Sequence, residues 1–357
     1  MNKTKCWEWE DDKVFKVYNL RGVFLATLLL ALSVGTYLWW SSKSERPADK
    51  LNVMGWHLLV PESMGITQPI PSNLVFDAKK VALGGALFDE KMLSADGTIA
   101  CSNCHVLQAG GTDNMARSVG INGEQGGINA PTVLNSGFNF VQFWDGRAAT
   151  LEDQIDGPVQ HPKEMGATWP QVLDKLKNSP RYQAAFAEIY PDKVTVANIK
   201  DALATFERSL VTPNSRFDRY LRGDSSVLSE QEKRGYALFQ ERGCVACHQG
   251  INLGGNMYER MGLMGDYFGD RGGLTEADNG RFNVTRKEED RYYFRVPSLR
   301  NVAKTAPYFH DGNAADLHSA VSIMARYQLG RVLEEDEIDA IVAFLHTLTG
   351  ELQGHPL

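Results

Sequence analysis

Two short runs of the same design hold the chain's most reactive side chains, Cys101-Ser-Asn-Cys104-His105 and Cys244-Val-Ala-Cys247-His248. A pair of cysteines three apart, followed at once by histidine, is the attachment site of a c-type haem: the sulfurs form thioethers with the vinyl groups and the imidazole takes the iron. The two runs use four of the five cysteines and leave Cys6 alone. A four-thiolate zinc site or a redox dithiol would also use cysteine pairs, but neither accounts for the paired histidines. The motifs predict two covalently bound haem c groups.

The surroundings of the motifs repeat as well. Gly85 to Phe88 (GALF) precedes the first pair and Tyr236 to Phe239 (YALF) the second. Pro131-Thr-Val-Leu-Asn135 leads on to Phe143-Trp144-Asp145-Gly146, and Pro297-Ser-Leu-Arg-Asn301 leads at the same spacing to Phe309-His310-Asp311-Gly312. Leu151 and Leu317 each stand five residues after the glycine. Agreement at this many offsets reads as a duplicated domain, with a period too long for a solenoid. Twelve residues after the glycines the copies diverge, to Met324 in the second and Pro158 in the first. A thioether can be the sixth iron ligand and raise the potential for electron transfer, whereas a proline leaves an iron open to a small molecule. Gln154, His161 and Glu164 cluster in sequence around Pro158. A carboxylate over an open ferric haem could take a proton from hydrogen peroxide and return it to the departing oxygen. Trp144 fits core packing or an electron relay equally well, and His310 occupies its repeat position.

Helical periodicity over 76–88, 170–190, 195–210, 229–241, 316–327 and 334–348 supplies the scaffold, with Glu334, Glu335, Asp336 and Glu337 charging a helix start. The stretches 106–147 and 249–313, rich in Gly, Asn, Asp and Pro, read as long loops that a large prosthetic group would organise. No alternating strand series appears. The expected fold is mainly α: two cytochrome c-like haem domains related by duplication, plus one N-terminal transmembrane helix. The expected segments are a cytoplasmic tail (1–21), anchor (22–42), linker (43–60), peroxidatic haem domain (61–212), electron-transfer haem domain (213–350) and tail (351–357). A hydrophobic content of 43% excludes wholesale disorder, and a net charge of −7 argues against nucleic acid as a partner.

Gly22 to Ser42 carries no charge over 21 residues, about enough for a bilayer core of roughly 30 Å, and ends in Tyr37, Trp39 and Trp40. No small-residue cleavage site follows, so an uncleaved anchor is expected. Lys3, Lys5, Lys13, Lys16 and Arg21 outnumber the basic residues of the far flank, which keeps the short tail in the cytoplasm and exports the body. The expected location is the inner membrane, single-pass, with both haem domains in the periplasm. His57, His318, His346 and His355 read as structural or solvated.

Over roughly residues 61–350 the chain resembles the bacterial di-haem cytochrome c peroxidases. The matching stretches are CSNCH, GGTDNM, INAPTVLNS, QFWDGRAATLEDQ, GPVQHPKEM, GCVACH, VPSLRNV, TAPYFHDG and AVSIMARYQLG. The resemblance implies His105 as proximal ligand of a low-potential, peroxide-reacting haem, and His248 with Met324 as ligands of a high-potential haem. It implies Trp144 between the haems, Gln154 and Glu164 as the distal polar pair beside Pro158, and a calcium ion held by Asn129 and the carbonyls of Thr305 and Pro307. Its donor would be a small periplasmic electron carrier or the quinol chain, and by analogy the chain would form a homodimer. One departure stands out: many members cap the peroxidatic iron with a histidine sixteen residues after the first motif histidine, where this chain has Ile121. Asn114, Met115 and Asn122 are poor substitutes, so no histidine cap is expected.

Two rival functions remain. One is the related di-haem enzyme that matures a tryptophan-derived quinone on a partner protein; that branch uses a tyrosine where this chain has Met324. The other is a non-enzymatic, membrane-tethered di-haem electron carrier, for which an open iron beside Pro158 has no use.

Overall fold

The computed structural model describes residues 65–357, together with a pair of two-residue antiparallel strands, β1 (Asn52–Val53) and β2 (Trp56–His57). The charge-free run 22–42 lies outside the described residues. Among the described residues no helix is long and apolar enough to cross a membrane.

The body is mainly helical. Its first half holds α1 (Ala78–Phe88), α2 (Cys101–Cys104), α3 (Leu151–Gln160), α4 (Trp169–Lys177), α5 (Pro180–Ile189) and α6 (Val196–Ser209). Its second half holds α7 (Arg216–Leu221), α8 (Glu230–Glu241), α9 (Tyr267–Arg271), α10 (Phe282–Thr285), α11 (Leu317–Gln328) and α12 (Glu335–His346). The hairpin β3 (Tyr258–Arg260) with β4 (Tyr293–Arg295) and the terminal pair β5 (Glu351–Leu352) with β6 (His355–Pro356) complete it. The periodicity over 170–190 is two helices, because Pro180 cannot continue α4 and instead opens α5. Side-chain caps start several helices: Asp77 accepts from the N–H groups of Lys79 and Lys80, and Glu334 and Glu337 form a capping box on α12.

The duplication is visible atom by atom. In each half two helices cross where a glycine sits four residues before the phenylalanine of the repeat. A Cβ on Gly84 would lie 2.0 Å from the Ala202 carbonyl oxygen, and one on Gly235 would lie 1.9 Å from that of Ala340. Only glycine permits so close an approach. Asn135 and Asn301 both have left-handed φ, 60° and 59°, as do Phe143 and Phe309, at 67° and 72°. For a bulky aromatic that region costs energy, yet it recurs at both copies, framed by equivalent bridges (Gln142 with Ala148, Tyr308 with Ala314).

Each half has its own apolar core. The first is built from Leu87, Ile155, Val172, Phe186 and Leu203, the second from Phe217, Phe239, Ile341 and Phe344. The halves are stitched by buried polar contacts. The side-chain amides of Asn135 and Asn301 both donate to the hydroxyl of Thr212, at 2.7 and 2.9 Å. The chain also crosses between them: Thr67 bridges to Gly250, the Gln68 carbonyl accepts from the fully buried Arg300, and Leu352 packs into the first core. Arg300 is paired with Asp218 at 2.8 Å, with neither side chain exposed.

Candidate active site

The two motif histidines are held in the same way. His105 caps α2 and its Nδ1 stands 3.1 Å from the Gly111 carbonyl; His248 Nδ1 stands 3.1 Å from that of Leu253. A carbonyl only accepts, so Nδ1 must carry the hydrogen in both rings, which leaves the Nε2 lone pair for a metal. Burial holds both imidazoles below their ordinary pKa, keeping them neutral and fit to ligate. Phe88 and Phe239 flank the two rings at 6.5 and 6.4 Å.

The cysteines do not behave as a redox pair. Burial pushes the Cys101 thiol up to about 12 and the Cys104 and Cys244 thiols up to about 11, the reverse of the lowered pKa that a reactive dithiol needs. Nor do the two pairs converge: among the described residues the one compact group of potential metal ligands is Asp278, His310 and Asp311, which Arg271 already neutralises through ion pairs to both aspartates. Covalent attachment to haem fits these buried thiols, and the polar groups around them fit its propionates. Beside the first motif, Ser118 lies against Cys104, and Arg117 Nη1 is buried with no hydrogen-bond partner among the described residues. In the second half, Cys244, Cys247, His248 and Met324 line one large cavity together with Pro297, Leu299 and Arg295. Arg295 is 4% exposed, its Nε donates to the Phe143 carbonyl, and among the described residues no carboxylate pairs with it; burial lowers it to about 10. His248, Met324 and the second cysteine pair thus share one apolar chamber.

Pro158 and Met324 hold the eighth position of α3 and of α11, so these helices are equivalent. Helix α3 escaped the sequence reading because Gly157-Pro158 interrupts it and its apolar content is low. Leu151, Ile155 and Val159, at i and i+4, were the signal that marks its buried face. Gln154 and Pro158 lie one turn apart on that helix. Beyond it the chain turns back: Glu164 N and Gly166 N donate to the His161 carbonyl, and Met165 N donates to that of Pro158. This turn sets Glu164 beside the end of α3. Its Oε1 lies 3.5 Å from His161 Nδ1. Burial raises its carboxyl above the ordinary carboxylate range, with His161 and Arg147 pulling the other way. The side chain remains 43% accessible.

The loop over this turn is pinned. Ile121 is 7% exposed, and its N–H donates to the Glu164 carbonyl at 2.9 Å. Gly120 fits against the Lys163 and Glu164 carbonyls, where a Cβ would come within 2.1 Å. Asn114 is committed elsewhere, its amide donating to the carbonyls of Lys304 and Ala306.

Trp144 lines the second chamber. Its Nε1 donates to the Asn129 carbonyl at 2.9 Å, and its ring meets His310 edge-on at 6.3 Å. His310, 3% exposed, is fixed by Asp278 at 2.7 Å, a partner the sequence reading missed because it lies 32 residues away in a loop. Asn129, Thr305 and Pro307 line the same chamber. The Asn129 amide nitrogen donates to the Met115 carbonyl, and among the described residues no donor occupies Asn129 Oδ1 or the carbonyls of Thr305 and Pro307. Amide and carbonyl oxygens are the type of donor a hard cation takes.

A helical chain with two duplicated CxxCH units, one paired with a methionine and one with a proline, defines a di-haem c-type cytochrome. The family model for di-haem cytochrome c peroxidase matches residues 78–226, and that for cytochrome c matches 232–349. Cytochrome c551 peroxidase of Nitrosomonas europaea is 46% identical over 288 residues, which cover 80% of this chain and 84% of that protein. The cytochrome c peroxidase Ccp of Escherichia coli K12 is 52% identical over 285 residues, covering 79% of this chain but 61% of the relative, so the match spans about three fifths of its length. Among solved structures, a MauG-like protein associated with microbial copper homeostasis superposes with a TM-score of 0.71 at 29% identity, covering 83% of this chain and 96% of that one. The chain belongs to the di-haem cytochrome c peroxidase family.

Proposed function

We propose that the protein reduces hydrogen peroxide to water with electrons from a small cytochrome c or similar carrier. The observation that carries this reading is the asymmetry of the duplicated site: His248 and Met324 face one chamber, while Pro158 replaces the methionine in the first half. When bound, the two haems supply the redox chemistry, the second as a high-potential store and the first as the site open to peroxide. Glu164 takes a proton from one peroxide oxygen and returns it to the other as the O–O bond breaks, and Gln154 orients the substrate. Trp144, which lines the second chamber, passes electrons toward the first half in this reading. Asn129, Thr305 and Pro307 hold calcium.

In this reading, residues 61–212 form the peroxidatic domain and 213–350 the electron-accepting one. The run 22–42 anchors the chain in the inner membrane with both domains in the periplasm, and the enzyme works as a homodimer. Met324 counts against cofactor maturation, since that branch places tyrosine there, and Pro158 counts against a simple electron carrier. The test is peroxide consumption with a reduced small cytochrome, from fully oxidised and from pre-reduced enzyme. Turnover from both is expected, because Ile121 stands where relatives carry the capping histidine and is buried against Gly166. Turnover only after pre-reduction would show that another group caps the first iron. No turnover in either state would overturn the peroxidase reading.

A further inference from the structure

Each peroxide reduced to two waters consumes two electrons and two protons beyond the proton that Glu164 moves between the oxygens. The donor protein supplies the electrons, and the protons must come from solvent. Glu164 is partly open to solvent itself, and the structure sets an exposed imidazole directly beside it. His161 caps α3, and its ring is 46% exposed, with Nδ1 3.5 Å from Glu164 Oε1. The same residue anchors the turn that holds Glu164, because its carbonyl accepts from the N–H groups of Glu164 and Gly166, both at 3.0 Å. The Lys163 backbone N–H donates to His161 Nδ1 at 3.3 Å. The neutral ring therefore carries its hydrogen on Nε2, and the Nδ1 lone pair lies on the side that Lys163 N–H and Glu164 share.

The other charged groups around the carboxyl face partners of their own. Arg147 is doubly bonded to Asp145 and lies over the Phe143 ring; Lys163 Nζ faces Glu124 at 3.8 Å; Asp113 lies toward Cys104. Arginine and lysine keep their protons throughout the physiological range, whereas imidazole exchanges there.

We propose that His161 is a positioning residue that relays protons from solvent to Glu164 during peroxide reduction. A solvent proton taken up at Nδ1 displaces the Lys163 N–H from that lone pair and passes to the Glu164 carboxylate; the neutral ring with hydrogen on Nε2 and its Lys163 bond are restored, and the second proton follows the same way. The O–O bond breaks, two O–H bonds form, and both electrons come from the donor. This inference rests on the peroxidase reading.

The experiment uses the full-length di-haem enzyme as wild type, His161→Gln and Glu164→Gln, with peroxide turnover followed from pH 5 to 9. His161→Gln is expected to keep both haem spectra and the KM for peroxide, to lose kcat about tenfold at pH 7 and to flatten the pH profile. A variant with wild-type kcat at every pH overturns the relay and leaves the peroxidase reading standing. A loss accompanied by altered haem spectra, or one that leaves the shape of the pH profile unchanged, assigns His161 a structural role and also overturns the relay. A wild-type enzyme that consumes no peroxide overturns both.

Discussion

Replacing Gly235 by alanine tests the helix crossing that delivers Phe239 to His248. The new Cβ would stand 1.9 Å from the Ala340 carbonyl oxygen, 2.6 Å from its carbon and 2.9 Å from Phe344 Cβ. Ordinary contact begins near 3.4 Å, so α8 and α12 must part by about 1.5 Å at the crossing. Two effects oppose each other. Alanine in the middle of α8 favours the helix by roughly 1 kcal/mol. Overpacking a close-packed crossing costs about 1–3 kcal/mol or more, and here the obstacle is backbone rather than a yielding side-chain tip. A net destabilisation of about 2 kcal/mol is expected. The control is Gly85→Ala, one residue along the equivalent helix α1, where the nearest obstacle is the Phe206 ring at 3.1 Å. A small ring tilt relieves that contact, so the helix-propensity gain survives and the change is neutral to stabilising. Denaturant unfolding of the holoenzyme, followed by helical circular dichroism and by absorbance of the second haem, distinguishes the two. If Gly235→Ala proves as stable as Gly85→Ala, the crossing is not tight and the argument fails.

Glu164→Gln is expected to lower kcat about 100-fold or more with both haem spectra retained, since an amide cannot shuttle a proton; steady-state peroxide turnover checks it. The active form of Glu164 at the start of the cycle is the carboxylate. Its raised pKa therefore places the acid limb of the rate profile above the ordinary carboxylate range, with activity falling as pH drops through it. Met324→Leu should remove the thioether from the second iron, visible as a changed ferric spectrum and a lower potential in a redox titration, while the first haem is unaffected. Glu207 is 6% exposed beside Cys101, and burial raises its carboxyl to about 8. The folded state therefore keeps a proton that the unfolded state loses above about pH 4.5, and stability drains away as pH climbs from there to about 8. Glu207→Gln should accordingly stabilise the protein at pH 8 by on the order of a few kcal/mol and hardly at all at pH 4, as measured by thermal unfolding at both.

The site was legible in the sequence wherever chemistry demands fixed spacing along the chain. Thioether attachment and axial ligation dictate CxxCH, and the duplicated offsets exposed Met324 against Pro158 without any coordinates. Helices with a full apolar stripe, such as α6 and α8, also declared themselves, within a residue or two of their ends. What stayed hidden depends on contacts between distant segments. Helix α3 carries Gly157 and Pro158 in its second half and owes its existence to packing against the first core. The partnership of His310 with Asp278 joins two loops, and the pairing of Thr67 with Gly250 joins the start of the body to the second motif. Periodicity registers none of these, because each is enforced across a gap of dozens of residues. The equivalent left-handed phenylalanines were invisible for another reason: their strain is tolerated only because the surrounding bridges over-determine it.

Thr212 lies in the segment between the two halves, and its hydroxyl oxygen accepts one amide from each. An atom that serves both copies belongs to neither, so it is the point where the duplication ceases to be a repetition. Two separate genes for the two halves would each encode an asparagine waiting for a hydroxyl, and one of the products would have none to offer. The molecule is in this sense two copies written as a single chain and joined through an unrepeated hydroxyl. Severing the backbone near Thr212 should therefore yield two fragments that hold together, rather than two free cytochromes.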